Sequence, residues 1–133
     1  MFEPLAGVRH VEVTDSRTRV DFTHCIRKLV DEYYPDAKKI VLVIDNLNIH
    51  SIASLYEAYE PAEALRLAKK LEIHHTPKHG SWLNMAEIEI GVMSRKCLKS
   101  YLPSKDFVIS QVEAWRSNRN TKKIRAVSSR LCK

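Results

Sequence analysis

The chain has 133 residues and a mass of 15.4 kDa, with 44% hydrophobic and 29% charged residues, which is typical of one globular domain. With only three glycines, the chain has no glycine-rich phosphate loop, and its three scattered cysteines form no CxxC pair that would indicate a zinc knuckle. The longest apolar run has five residues, which is too short to span a membrane. The net charge of +6 is uneven: residues 1–91 carry −3 and residues 92–133 carry +9, which indicates either a nucleic-acid partner or a solvated basic helix.

The first half of the chain predicts a strand, a helix and a second strand. Residues Val8 to Val13 alternate between apolar and polar, the period of a half-buried strand. Residues 20–34 place most apolar side chains on one helical face, and Pro35 ends that helix. The run from Ile40 to Ile44 is continuously apolar, which predicts a strand buried on both faces.

The second half predicts helices around one more strand. Residues 51–59 and 61–70 read as helices, the second with a proline at its first turn, and residues 71–75 alternate as a strand. After a loop, Asn84 is a candidate cap for a helix that extends to residue 100. Ser104 is a candidate cap for a last helix, and four apolar residues form its predicted inner face: Phe107, Val108, Val112 and Trp115. The order of elements predicts an α/β or α+β arrangement on a mixed sheet.

Two carboxylates, Asp45 and Glu87, are candidates for catalysis or metal binding. Asp45 ends the apolar strand, the position at which open α/β sheets place their active sites, although Asp45-Asn46 is also a common turn. Glu87 lies in the first turn of a helix, where a capping box would explain it equally well. If both reach one sheet edge, their oxygens suit Mg²⁺ or Mn²⁺.

The histidines suggest zinc only weakly. His74 and His75 are adjacent on a strand and therefore point to opposite faces. His75 and His79 span a strand end and a loop, and His50 follows the apolar strand. For one of these four histidines, contact with phosphate or orientation of a water is a better expectation than a dedicated zinc site.

Two segments then resemble a known family. IVLVIDNLNIH and EIHHTPKHGSWLNMAEIE, with Asp45 and Glu87 42 positions apart, closely resemble the transposases of mariner-related bacterial insertion sequences. The resemblance covers roughly residues 2–120. It implies a DDE endonuclease domain of α/β, ribonuclease-H-like fold, a mixed sheet with flanking helices.

The resemblance also implies site residues. Asp45 matches the family's second catalytic aspartate, and Glu87 matches the final acid of its triad. The resemblance also implies a two-metal site for Mg²⁺ or Mn²⁺ in the parent enzyme. Glu89, about 200° further round the helix, is the less favoured ligand. Further residues belong to the motif surroundings, where they position metal ligands or DNA: Asn46, Asn48, His50, Lys78, His79, Ser81, Trp82 and Asn84.

Two departures from the family pattern are expected. The family's first strand, with its first catalytic aspartate, and the upstream DNA-reading region have no match in this chain. Residues 1–120 therefore read as a partial DDE domain lacking the first strand, and residues 121–133 as a basic, divergent tail.

Two functions follow as hypotheses. The first is the C-terminal part of a transposase catalytic domain, cleaving DNA at transposon ends and joining it to target DNA in the parent enzyme, and inactive alone. The alternative is a non-catalytic DNA-binding or dimerising remnant that modulates the full-length transposase. Either way we expect a cytoplasmic, nucleoid-associated bacterial protein with DNA as partner and no membrane contact.

Two interactions are expected from these hypotheses. The basic third supplies phosphate contacts: Lys96, Lys99, Arg116, Arg119, Lys122, Lys123 and Arg125. Without the first strand, one edge of the strand Ile40 to Ile44 lacks a partner, which favours a homodimer, although closure within one chain would leave a monomer.

Overall fold

The computed structural model describes residues 1–45, 50–77 and 85–125. The chain divides into two compact units, Thr14–Ser81 and a second unit made of Met1–Val13 together with Trp82–Lys133. Within the described residues, no helix is long and apolar enough to span a membrane.

The unit Thr14–Ser81 begins with helix α1, Arg19–Lys28. Thr18 and Asp21 form a reciprocal capping box, in which the Asp21 amide donates to Thr18 Oγ1 at 3.2 Å and the Thr18 amide to Asp21 Oδ2 at 2.8 Å. One π-helical turn, Leu29–Tyr33, continues the helix. The helix predicted over residues 20–34 is thus confirmed, with a widened last turn.

Two parallel strands follow, β3 (Ile40–Ile44) and β4 (Leu71–His75). Parallel strands need a crossover connection, and helices α2 (Ala53–Ala58) and α3 (Pro61–Lys70) provide it. Among the described residues of this unit, the buried apolar side chains are Ile26, Leu29, Val30, Ile44, Leu55, Ala64, Leu67 and Leu71.

Strand β3 is covered on one face only, so the prediction that both faces are buried is wrong. Val41 and Val43 are 63% and 56% exposed, whereas Ile44 is buried. Alternate side chains of a strand point to opposite faces, and the face that carries Ile44 is the less exposed one. A continuous apolar run therefore does not establish burial on both sides.

The second unit starts with a short hairpin, β1 (Phe2–Glu3) paired antiparallel with β2 (Val8–Arg9). The strand predicted from Val8 to Val13 is real only over its first two residues, because regular pairing stops after β2.

Two helices complete this unit, α4 (Met85–Cys97) and α5 (Lys105–Thr121). Ser104 caps α5, as predicted, by accepting the Phe107 amide at 3.2 Å. Cys97, Val112 and Trp115 form the buried cluster. Phe107, predicted on the inner face, is 37% exposed and lies outside that cluster.

The predicted mixture of helices and strands is confirmed, but the described strands do not form a single sheet. The described residues form two separate two-stranded sheets, one in each unit, rather than a single mixed sheet. The ribonuclease-H-like order of strands stays a prediction.

Candidate active site

Asp45 follows β3 directly, at the carboxyl end of the parallel strand pair. The Thr76 amide donates to the Ile44 carbonyl at 2.9 Å, which joins the residue after β4 to the end of β3. The side chain of Asp45 is one-third exposed. Its carboxylate is therefore held at a sheet edge and is still open to solvent, the position where α/β sheets bind ligands.

His50 holds one oxygen of that carboxylate. Its Nδ1 contacts Asp45 Oδ1 in a short hydrogen bond, and its ring lies against Phe22 with the ring centroids 4.9 Å apart. Asp45 Oδ2 has no hydrogen-bond partner among the residues that the structure describes. A carboxylate oriented through one oxygen and open at the other suits a cation ligand.

The remaining described histidines do not assemble a metal centre. His74 Nε2 lies 2.8 Å from Glu72 Oε1 on the same strand, and His75 is exposed at the end of β4. Across residues 1–45, 50–77 and 85–125, no group of three His, Cys, Asp or Glu side chains could hold a metal ion.

Glu87 lies in the first turn of α4 with its side chain exposed to solvent. It belongs to the unit Met1–Val13 with Trp82–Lys133, whereas Asp45 belongs to the unit Thr14–Ser81. The meeting of the two carboxylates at one edge stays a prediction. The capping box with Asn84 lies outside the described residues.

Most of the predicted motif surroundings also lie outside the described residues. Only His50 of that set is described, in contact with Asp45. The others fall in residues 46–49 or 78–84: Asn46, Asn48, Lys78, His79, Ser81, Trp82 and Asn84.

Glu89 has a different environment from Glu87, since it is only 5% exposed. Arg9 Nε donates to Glu89 Oε2 at 2.6 Å and an Arg119 guanidinium nitrogen to Glu89 Oε1 at 2.9 Å. Burial alone raises the pKa of the Glu89 carboxyl, but hydrogen bonds from the two arginines outweigh burial and hold the pKa below its usual value.

No local sequence pattern indicates the role of Arg9. Its partner is 80 positions away, and the alternation from Val8 to Val13 marks Arg9 simply as a polar position. A buried arginine is rare without a paired acid, but local periodicity cannot identify that acid.

Two of the seven predicted phosphate contacts already have an acid as partner. Arg119 bonds Glu89 and lies over the ring of Trp115, and Arg116 makes two hydrogen bonds to Glu113 on its own helix. These pairs do not test the role of the two arginines toward DNA, so all seven phosphate contacts stay a prediction. The remaining five are exposed: Lys96, Lys99, Lys122, Lys123 and Arg125.

A comparison with family models decides what kind of protein this is. The model described as DDE superfamily endonuclease matches residues 1–109, more than four-fifths of the chain. The chain belongs to the DDE superfamily of endonucleases. Neither a curated protein nor a solved structure matches it significantly.

The DDE endonuclease match includes the residues around both candidate acids. Asp45, His50, Glu87 and Glu89 all lie within it, and so does the hairpin that carries Arg9. Most of α5 and the residues after it lie beyond the matched range, although Arg119 of α5 contacts Glu89 within that range.

Proposed function

We propose that this chain is the C-terminal part of the catalytic domain of a DDE transposase, of the kind found in mariner-related bacterial insertion sequences. Its substrate is DNA. The parent reaction cleaves a phosphodiester bond at a transposon end, and the freed 3′ hydroxyl then attacks a phosphodiester of the target. The observation that carries this proposal is the family match over a chain whose Asp45 directly follows β3 with a partly exposed carboxylate.

Asp45 and Glu87 are the proposed metal ligands. Both offer carboxylate oxygens that reach solvent, and hard oxygen donors suit Mg²⁺ or Mn²⁺. When bound, such ions would lower the cost of the charge that develops on the reacting phosphate oxygens. His50 is a positioning residue: it orients the Asp45 carboxylate through Oδ1, while Oδ2 has no hydrogen-bond partner among the described residues and could bind a cation.

We expect this chain to bind divalent ions weakly and to show little strand transfer by itself. The resemblance assigns three acids to the site, and this chain matches two of them. Asp21 does not replace the third, since its carboxylate already belongs to the capping box of helix α1.

Metal binding tests the proposal directly. Titration with Mn²⁺, followed by the electron paramagnetic resonance signal of the free ion, should show binding that Asp45→Asn and Glu87→Gln each weaken at least about 10-fold. Glu60→Gln is the control, because Glu60 is an exposed carboxylate at the start of α3. Equal affinities in all four proteins would refute the assignment.

A nicking assay on supercoiled plasmid, with Mg²⁺ or Mn²⁺, then tests the reaction. We expect nicking to be slow and to disappear in the Asp45→Asn variant. Fast cleavage that survives this substitution would show that the two acids are not the catalytic groups.

The second candidate function is DNA binding or dimerisation without catalysis. Two observations favour it: five basic residues are exposed near the ends of α4 and α5, and β3 pairs along one edge only within the described residues. An unpaired apolar strand edge is a template for another strand, so the partner we propose is a second copy of this chain.

DNA binding is testable by its salt dependence. A Lys122→Gln, Lys123→Gln double variant should bind more weakly and lower the slope of log affinity against log salt by about 1 to 2. Lys69→Gln, an exposed lysine in the last turn of α3, is the control. An affinity that does not change between low and moderate salt would exclude phosphate contacts as its source.

A further inference from the structure

The motif LNMAEIE supplies two glutamates, and the structure gives them different environments. Glu87 is exposed and Glu89 is 5% exposed, although they are two positions apart on α4. Two residues correspond to about 200° of rotation round a helix. Fixing the direction of one glutamate therefore fixes the direction of the other.

Both oxygens of Glu89 are occupied by separate cations. Arg9 of β2 binds Oε2 at 2.6 Å, and Arg119 of α5 binds Oε1 at 2.9 Å. Glu89 thus joins α4 to two other elements of its unit. Because neither oxygen is open, Glu89 is a poor candidate for a metal ligand.

The two arginines are themselves held in place. One terminal nitrogen of Arg9 donates to the Gly7 carbonyl at 2.7 Å, the other donates to the Ile124 carbonyl, and the guanidinium lies over the ring of Phe2. The guanidinium of Arg119 lies over the ring of Trp115. Both arginines that bind Glu89 are therefore held by further contacts of their own.

The apolar side chains of α4 do not define its rotation clearly. Ile88 and Ile90 are 44% and 55% exposed, whereas Val92 and Met93 pack against the buried cluster. Large apolar residues thus lie on both the exposed and the packed sides of the helix. Two directional, charge-assisted hydrogen bonds select one rotation where burial of apolar area does not.

We propose that Glu89 is a positioning residue whose bonds to Arg9 and Arg119 set the rotation of α4 and direct Glu87 outward as the metal ligand. This inference rests on the proposed function of Glu87. A buried arginine–glutamate–arginine group is often no more stabilising than apolar residues of the same size, so stability alone does not explain it.

The test is Mn²⁺ binding by the full chain, followed by electron paramagnetic resonance. Glu89→Gln removes the charge and puts an amide donor opposite two arginine donors, and we expect Mn²⁺ affinity to fall about 10-fold. Glu113→Gln is the matched control, since Glu113 is an exposed helix glutamate bonded to Arg116 and should leave affinity unchanged. Circular dichroism at the temperature of the titration verifies that each variant is folded.

A second variant separates positioning from stability. The triple change Arg9→Met, Glu89→Leu, Arg119→Met replaces the charged group by apolar side chains and should melt at a temperature equal to or above that of the original chain. We expect its Mn²⁺ affinity to be as low as that of Glu89→Gln. If this triple variant binds Mn²⁺ with the affinity of the original chain, the inference is overturned. This result decides the question even if the Glu89→Gln variant does not fold.

The outcomes distinguish the inference from the function on which it rests. If Glu87→Gln lowers affinity and Glu89→Gln does not, the positioning role is wrong and the metal role of Glu87 stands. If Glu87→Gln has no effect, the proposed function fails. If Glu89→Gln alone lowers affinity, Glu89 is itself the ligand, and the inference is overturned.

Discussion

Replacing Gly7 by alanine should destabilise the unit made of Met1–Val13 and Trp82–Lys133, whereas the same replacement at Gly91 should not. Gly7 has φ +68°, in the left-handed region, and turns the chain between β1 and β2. A Cβ atom at this position would lie 2.7 Å from the carbonyl carbon and from the oxygen of Lys123. Both contacts are with backbone, which cannot rotate away.

The expected magnitude is the sum of two costs. The left-handed conformation costs an alanine roughly 1 to 2 kcal/mol, and forcing extra volume into a packed site costs roughly 1 to 3 kcal/mol. The free energy of unfolding should therefore fall by about 2 to 5 kcal/mol. This loss is a large part of the roughly 5 to 15 kcal/mol that stabilises a typical domain.

Gly91→Ala is the matched control, since it makes the same chemical change in the same unit. Gly91 lies inside α4, and its added Cβ would meet only the flexible end of the Arg95 side chain, at 3.4 Å. Alanine in a helix interior is about 0.5 to 1 kcal/mol better than glycine, so this variant should gain stability.

Urea unfolding followed by tryptophan fluorescence measures both effects, because Trp115 is buried in the core cluster of this unit. With an m-value of about 2 kcal/mol/M, Gly7→Ala should lower the midpoint by about 1 to 2.5 M, and Gly91→Ala should raise it slightly. If the Gly7→Ala midpoint stays within about 0.3 M of the original, the close approach of residue 123 to the hairpin is refuted.

Four further predictions concern local features. Ser104→Ala should lower the free energy of unfolding by about 1 kcal/mol, read from urea midpoints, because the cap of α5 is lost. Burial and nearby positive charges lower the pKa of His10, so the unfolded chain binds a proton at this residue more tightly than the folded chain does. The free energy of unfolding should therefore decline as pH falls below about 6.5, and it should decline less in the His10→Gln variant. Thermal melts at several pH values measure this. Burial raises the pKa of the Cys97 thiol, so iodoacetamide should modify it more slowly than Cys25, as peptide mapping would detect; equal rates would contradict this. Light scattering at micromolar concentration should show association through the edge of Ile40–Ile44, and a stable 15.4 kDa monomer would exclude it.

The elements that carry strong local signals were predictable from the sequence. Helix α3 and strand β4 begin and end at the predicted residues, because Pro61 marks the first turn and the alternating apolar pattern starts at Leu71. The cap at Ser104 was likewise readable from its neighbours. Asp45 was found by its place at a strand end, and its contact with His50 lies within one short motif.

The rest depends on contacts between distant parts of the chain. Arg9 and Glu89 are 80 positions apart, and no local pattern shows that an exposed-looking arginine will be buried against a helix from the other end of the sequence. The same limit explains the error over Val41 and Val43, since the covering of a sheet face is decided by the packing of helices and not by the strand's own residues. The hydrogen bond between Arg119 and Glu89 could not be predicted for the same reason, because the two residues are 30 positions apart.

The discontinuous unit has a consequence for the order in which this protein folds during synthesis. Thr14–Ser81 leaves the ribosome as one uninterrupted stretch and can pack at once, whereas Arg9 must wait for Asn120, whose side chain accepts its amide. At about 5 to 20 residues per second, that delay is roughly 5 to 20 seconds. Until then the hairpin lacks its partners on α5, so the inserted unit can fold first, and α5 completes the core of the other unit last.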